Sequence, residues 1–230
     1  MFDPKSLLDQ FLGSQAGNSM RDAGQSMRGR LDQYSGSGGF MRGAAAGSLL
    51  GMLLGGRGRQ SGGIMGYGGA AALGALALRA YQNYQQQKAV RPVQITPDAL
   101  AGVSPDSLPH AQPAADGGAF QLVLIRAMVG AAKADGTVDA TEQQRLFGEV
   151  ERLALDADAK AYVFDLLSKP VEMASITDAV ATPEQGAEVY LASRLAIDPD
   201  VPAERAYLDA LAGRLKLPAE LRAHLDASAT

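Results

Sequence analysis

Glycine at every fourth residue constrains this chain more than any other feature. Gly39, Gly43, Gly47, Gly51 and Gly55 form one unbroken row, and Gly62, Gly66, Ala70 and Gly74 form a second. Residues four apart lie along one face of a helix, where small side chains let two backbones approach closely, as in small-xxx-small membrane pairs. Arg57-Gly58-Arg59-Gln60, between the rows, reads as a tight hairpin turn. Each Gly costs a helix about 1 kcal/mol relative to Ala, so the five in the first arm disfavour an isolated helix in water by roughly 5 kcal/mol. Lipid reverses the balance, because an unpaired backbone group in hydrocarbon costs several kcal/mol. Each arm has about 18 residues, which at ~1.5 Å per residue spans roughly 27 Å, near the hydrocarbon thickness. Residues 60–78 carry no charge, and Arg42 alone interrupts the first arm. A membrane hairpin over residues 39–88 is the expectation. A Gly-rich segment without fixed structure and a soluble helix pair buried in an assembly stand as the other readings.

Charge separates the chain into two halves. Residues 1–91 hold ten Lys/Arg against four Asp/Glu, and residues 119–230 hold eleven against eighteen. The overall net charge of −4 conceals a balance of +6 and one of −7. Basic residues flank the hairpin (Arg21, Arg28, Arg30 and Arg42 before it, Arg79, Lys88 and Arg91 after it), while the turn offers Arg57 and Arg59. That distribution places both termini in the cytoplasm and suits anionic lipid headgroups. An acidic second half argues against nucleic acid as its partner. The chain has no Cys and only two His, far apart in sequence, so disulfides, thiolate metal sites and a Ser-His-Asp triad all lack their residues. Phosphate-loop, nucleophile-elbow and H-E-x-x-H motifs are absent too, and no enzymatic activity is expected.

Local signals divide the chain further. Residues 1–38 comprise a short amphipathic helix, with Asp3 as cap and Pro4 at its first position, and then a basic, flexible linker. In that helix Leu7, Leu8, Phe11 and Leu12 share a face. No basic start followed by an apolar core and cleavage site opens the chain, so a cleaved secretory signal is not expected. Residues 89–118 contain Pro92, Pro97, Pro105, Pro109 and Pro113 and read as a linker in which His110 is a solvated side chain. From Phe120 the apolar period is helical throughout. Phe120, Val123, Leu124, Ala127, Met128 and Ala131 mark one stripe, and Leu146, Phe147, Val150 and Leu153 the next. Tyr162, Val163, Leu166 and Leu167 belong to a helix ending before Pro170, followed by a shorter one over about residues 171–180. Thr182-Pro183-Glu184, the run around Leu208 and Leu211, and Pro218 mark three more. Residues 119–230 therefore form an acidic domain of seven helices, and the fold class is all-α. Met128, Met173, Tyr162, Tyr190 and Tyr207 read as core or rim residues, and His224 as a surface or packing residue.

Two parts of that domain match. Asp135-Gly136-Thr137-Val138-Asp139-Ala140-Thr141-Glu142 leads into a helix with Leu146 and Arg152-Leu153. Asp198-Pro199-Asp200-Val201-Pro202-Ala203-Glu204 leads into Leu208 and Arg214-Leu215, at the same spacings from its glutamate. As metal ligands, Asp135, Asp139, Glu142, Asp198, Asp200 and Glu204 would suit a hard cation such as Ca²⁺, Mg²⁺ or Mn²⁺. As structure, Asp139 and Glu142 form a capping box, Asp200 caps the helix after Pro202, and acids at helix starts suit the macrodipole. Both readings stand on the sequence.

The run LIRAMVGAAKADGTVDATEQQRL, with the later AIDPDVPAERAYLDALAGRLKL, resembles the TerB-like fold of tellurite-resistance proteins. The Gly-rich hairpin ahead of it is similar to the YebE-like inner-membrane proteins, a bacterial family of undefined function. This resemblance implies a bacterial inner-membrane location with the C-terminal domain in the cytoplasm, and a metal-binding role for the six acidic residues above. Pro199 stands where the first loop has Gly136, so the second loop departs from the first. The expected function is a membrane-anchored interaction or sensing protein, responsive to divalent cations in envelope or metal stress. Its partners would be membrane lipids, an unidentified protein and further copies of the chain through the Gly rows. A soluble structural protein that oligomerises through those helices is the alternative.

Overall fold

The computed structural model describes residues 3–11, 69–93, 103–134, 157–197 and 200–229. Among these residues the secondary structure is helical and no strand occurs, so the chain is all-α. The helices are α1 (Pro4–Phe11), α2 (Gly69–Gln85), α3 (Phe120–Ala132), α4 (Ala157–Ser168), α5 (Met173–Thr177), α6 (Pro183–Ala196), α7 (Pro202–Arg214) and α8 (Ala219–Ser228). Two 3₁₀ turns, Pro105–Ser107 and Pro109–Ala111, precede α3.

Sequence signals set several helix starts. The Asp3 carboxylate accepts from the backbone N–H groups of Lys5 (3.1 Å) and Ser6 (3.2 Å), and α1 begins at Pro4. Thr182 accepts from the N–H of Gln185 at 3.2 Å and so caps α6, with Pro183 next. At α7 the cap position belongs to Val201, which supplies no side-chain acceptor, and not to Asp200 as expected. Pro202 fills the first helical position there; it lacks an N–H, so one fewer donor needs a partner.

Two helix ends close without glycine. Gln87 and Lys216 adopt left-handed φ values of 52° and 53°. Each donates to the carbonyl three residues back (Tyr84, Gly213), and the residue after each donates five back, Lys88 to Asn83 and Leu217 to Ala212. That is the Schellman arrangement, which satisfies carbonyls that a helix terminus leaves open. A third end is closed by a side chain. Lys133, just past α3, donates from Nζ to the carbonyls of Lys169 (2.7 Å), Leu167 (2.9 Å) and Leu166 (3.3 Å), at the terminus of α4.

Helix α6 is the centre of the fold. It packs against α2, α3, α7 and α8, and Gln185 through Ser193 are all buried, as is Ala196. One hydrophobic cluster runs through Leu7 and Leu8 of α1, Leu73 and Leu76 of α2, Phe120 and Met128 of α3, and Leu221 and Leu225 of α8. The second row of small residues enters this cluster at Ala70. Residues 69–80, expected in the second arm of a hairpin, are covered here by α1, α6 and α8. Asp9 of α1 accepts from the N–H of Ala70 at 3.1 Å and ties the two N-terminal helices together. Among the described residues no helix is long and apolar enough to cross a membrane. Tyr190 is a core residue, as expected. Its hydroxyl donates to Asp226 (2.9 Å) and accepts from Arg222 (2.8 Å), and Arg222 also pairs with Asp209 at 2.6 Å, linking α6, α7 and α8.

Replacing Lys133 by Met keeps the aliphatic stem and removes the donors to α4. A hydrogen bond to a charged group contributes ~1.5–3 kcal/mol when buried; partial exposure of this one reduces the expected loss to about 1–2 kcal/mol. Urea unfolding of K133M should show a lower midpoint at unchanged slope; an unchanged midpoint would show that the α4 terminus needs no such donor.

Candidate functional site

Polar residues in a helix that is buried all round need partners, and those of α6 define the site. Gln185 and Glu188 lie three apart, on one side of α6, and face the segment 105–113. The Gln185 side-chain oxygen accepts from the Ala181 N–H at 2.8 Å. Its amide nitrogen donates to the carbonyls of Pro113 (3.0 Å), Pro109 (3.3 Å) and Gln112 (3.4 Å). Two N–H groups shared among three carbonyls fasten this proline-rich stretch, whose own backbone bonds form its two 3₁₀ turns. Because these carbonyls are held, residues 105–114 lie against the domain with Leu108, His110 and Ala114 buried.

This is where the expectation for His110 fails. It is 4% exposed, and its Nδ1 lies 2.5 Å from Oε1 of Glu188, which is fully buried. Five prolines suggested a solvated linker, but the two 3₁₀ turns fold the segment onto α6, and Gln185 fastens it there. The other carboxylate oxygen, Glu188 Oε2, has no hydrogen-bond partner among the described residues. Burial pushes the Glu188 carboxyl above its ordinary range, and the hydrogen bond to His110 opposes that only in part.

Gly74 completes the site from α2. A Cβ on this residue would lie 2.7 Å from Cε1 and Nδ1 of His110 and 3.0 Å from Oε1 of Glu188. These distances are too short for a methyl group, so α2 reaches the pair only because residue 74 has no side chain. At Gly74 of the second row the neighbours are a histidine ring and a carboxylate, where the sequence suggested another helix backbone. Ala70, one turn earlier, is fully buried. Gly39, Gly43, Gly47, Gly51, Gly55, Gly62 and Gly66 lie outside the described residues.

Of the six acidic positions, Asp135, Asp139, Glu142 and Asp198 also lie outside the described residues. Asp200 is exposed in the turn before α7, and Glu204 is buried in the first turn of that helix. Among the described residues, no group of three or more His, Asp or Glu side chains is placed to hold a metal ion. The His110–Glu188 pair can hold and exchange a proton, which is the chemistry its two groups share. Sequence reasoning missed both residues. A lone His among prolines carries no pattern, but Gln185, Glu188 and Ser193 along an otherwise apolar and small-residue helix were a readable sign of buried polar partners.

Residues 39–229 match the family described as "Protein of unknown function (DUF533)". An "Uncharacterized protein in ampR 5'region" of Yersinia enterocolitica is 27% identical over 99 residues, 43% of this chain and 71% of that protein. No solved structure matches the chain.

Replacing Gly74 by Ala should force α2 away from the pair. Overpacking of this kind costs ~1–3 kcal/mol, and thermal unfolding of G74A should show the loss. An unchanged midpoint would mean that the contact yields without cost.

Proposed function

This chain belongs to the DUF533 family, and we propose that it is a non-catalytic helical interaction or sensing module, held at the bacterial inner membrane by its Gly-rich segment. The observation that carries this reading is the burial of α2. Residues 39–68 run directly into a helix packed against α1, α6 and α8, so they are joined to the domain by a core element and not by a free tether. Whatever these residues engage is thereby coupled to the packing of α6.

The length of the segment supports a shallow attachment. With α2 in the domain, 39–68 has about 30 residues, and two full crossings need roughly 20 each. A hairpin of that length enters one leaflet and returns, leaving both ends on the same side. The arginines on its flanks would then sit at the cytoplasmic headgroups. The likeness of residues 124–146 and 196–217 to TerB-like domains, and of the Gly-rich region to YebE-like inner-membrane proteins, supports the same reading. A non-catalytic role is favoured by the burial of His110 and Glu188 beneath α2.

Carbonate extraction of membranes tests the proposal. The full chain should stay in the pellet, and a chain lacking residues 39–68 should be released. Complete release of the full chain would overturn membrane attachment; a monodisperse oligomer by light scattering without detergent would then favour a soluble assembly built through the Gly rows.

A further inference from the structure

Three buried side-chain atoms lack a hydrogen-bond partner among the described residues: Glu188 Oε2, Tyr207 Oη and His224 Nδ1. Glu188 differs from the other two in bearing a carboxyl group and in touching the helix that continues from the Gly-rich segment. We propose that the His110–Glu188 pair is a proton-operated latch, which holds α2 on the domain while the pair keeps its shared proton and loosens α2 when that proton leaves for solvent.

The argument begins with proton count. With one proton between them, the pair is neutral overall, either as a carboxylic acid donating to Nδ1 or as an imidazolium donating to a carboxylate. Oε2 is then tolerable as an unpaired oxygen. After the proton is lost, the Nδ1–H of a neutral imidazole faces a carboxylate, and a net negative charge lies buried with one oxygen unpaired. A buried charge in that condition is costly, and water can reach it only if a covering element moves.

Among the described residues no other charge compensates it. On α2 the residues around Gly74 are Ala70, Leu73, Ala77 and Leu78, and the first charged side chain is Arg79. The charged residue of α3, Arg126, donates to the Ser175 carbonyl at 2.8 Å. From α8, Arg222 and Asp226 are engaged with Tyr190, and Asp209 of α7 pairs with Arg222. His224 of α8, Arg194 of α6, Asp106 of the first 3₁₀ turn, Lys5 and Asp9 of α1, Tyr81 and Tyr84 of α2, and Glu204, Arg205, Tyr207 and Arg214 of α7 complete the titratable or charged groups on these elements, with Glu184 at the start of α6 and Glu220 at the start of α8. None of them forms a hydrogen bond or ion pair with His110 or Glu188. Gln185 is the polar neighbour on α6, and its amide is committed to the 109–113 carbonyls.

The covering element that can yield is α2. It meets the pair with a glycine, so no side chain interlocks there, and its N–H at Ala70 is held by Asp9 from a separate short helix. The 105–113 segment, by contrast, is fastened by Gln185.

The sign follows from the raised Glu188 carboxyl. Over the range in which the pair holds at most one proton, a value raised when α2 is docked gives stability that is lost as pH rises through it. Rising pH therefore opens the latch. The latch rests on contacts within the described residues and stands apart from membrane attachment.

Hydrogen exchange of the α2 amides in the full chain, from mildly acidic to mildly alkaline pH and corrected for intrinsic rates, tests it. Wild type should open more as pH rises, by at most tenfold per unit for one proton. Glu188→Gln, which is neutral and can donate to Nδ1, should abolish the rise of α2 opening with pH. The same pH dependence in E188Q and wild type would overturn the latch. Should E188Q fail to fold, wild type supplies the measurement: loss of the pair's proton, read from the infrared carboxyl band together with the NMR signals of the His110 ring, should share a midpoint with α2 opening, and two separate midpoints would overturn the proposal. Gly74→Ala should open α2 at every pH, and pH-dependent closure in that variant would count against the contact.

Discussion

Helix α2 meets His110 and Glu188, at the centre of the domain, through Gly74. Hydrogen bonding from Gln185 to the carbonyls of Pro109, Gln112 and Pro113 holds the segment that presents His110. The order of dependence is then clear. Thr182 and Pro183 start α6; α6 carries Gln185 and Glu188; these hold the 105–113 segment; and the segment with Glu188 forms the surface that only a glycine can meet. Changing any earlier link alters where α2 can sit.

Helix α6 also explains why this centre is hard to see in a sequence. A surface helix shows a polar stripe, but a helix buried on all sides has none to show. Each polar residue of α6 instead satisfies a partner: Gln185 the 109–113 carbonyls, Glu188 the imidazole, Tyr190 Asp226, and Ser193 the Ala127 carbonyl at 3.4 Å. Such a pattern looks weakly amphipathic, although its information lies in the pairing. Fully satisfied networks of this kind specify a core, whereas partly satisfied ones mark sites with another task. Glu188 belongs to the second class through Oε2.

Where an element depends on local chemistry, the sequence was legible. Asp3-Pro4, Thr182-Pro183 and Pro202 open helices because caps and proline act within a few residues. Pro170 follows a helix ending at Ser168 for the same reason. The all-α class and the burial of Met128 and Tyr190 follow from apolar periodicity. Features that depend on distant partners were not legible. Val201 displaces Asp200 from the cap position, and Gln87 and Lys216 take left-handed conformations that composition assigns to glycine. His110 was assigned to solvent because proline content describes a segment's own preferences and says nothing of a glutamine 75 positions later that accepts its carbonyls' demand for donors.

The charge division of the chain acquires a physical meaning from α2. A basic, Gly-rich half and an acidic, helical half suggest two objects joined by a linker, yet α2 begins in the first and is buried in the second. At Gly74 the missing side chain lets α2 approach a histidine ring and a carboxylate, while Leu73 and Leu76 of the same helix enter the hydrophobic cluster. The small-residue pattern that reads as a membrane arm in the sequence is, at Gly74, what sets α2 against the pair whose proton governs where it rests.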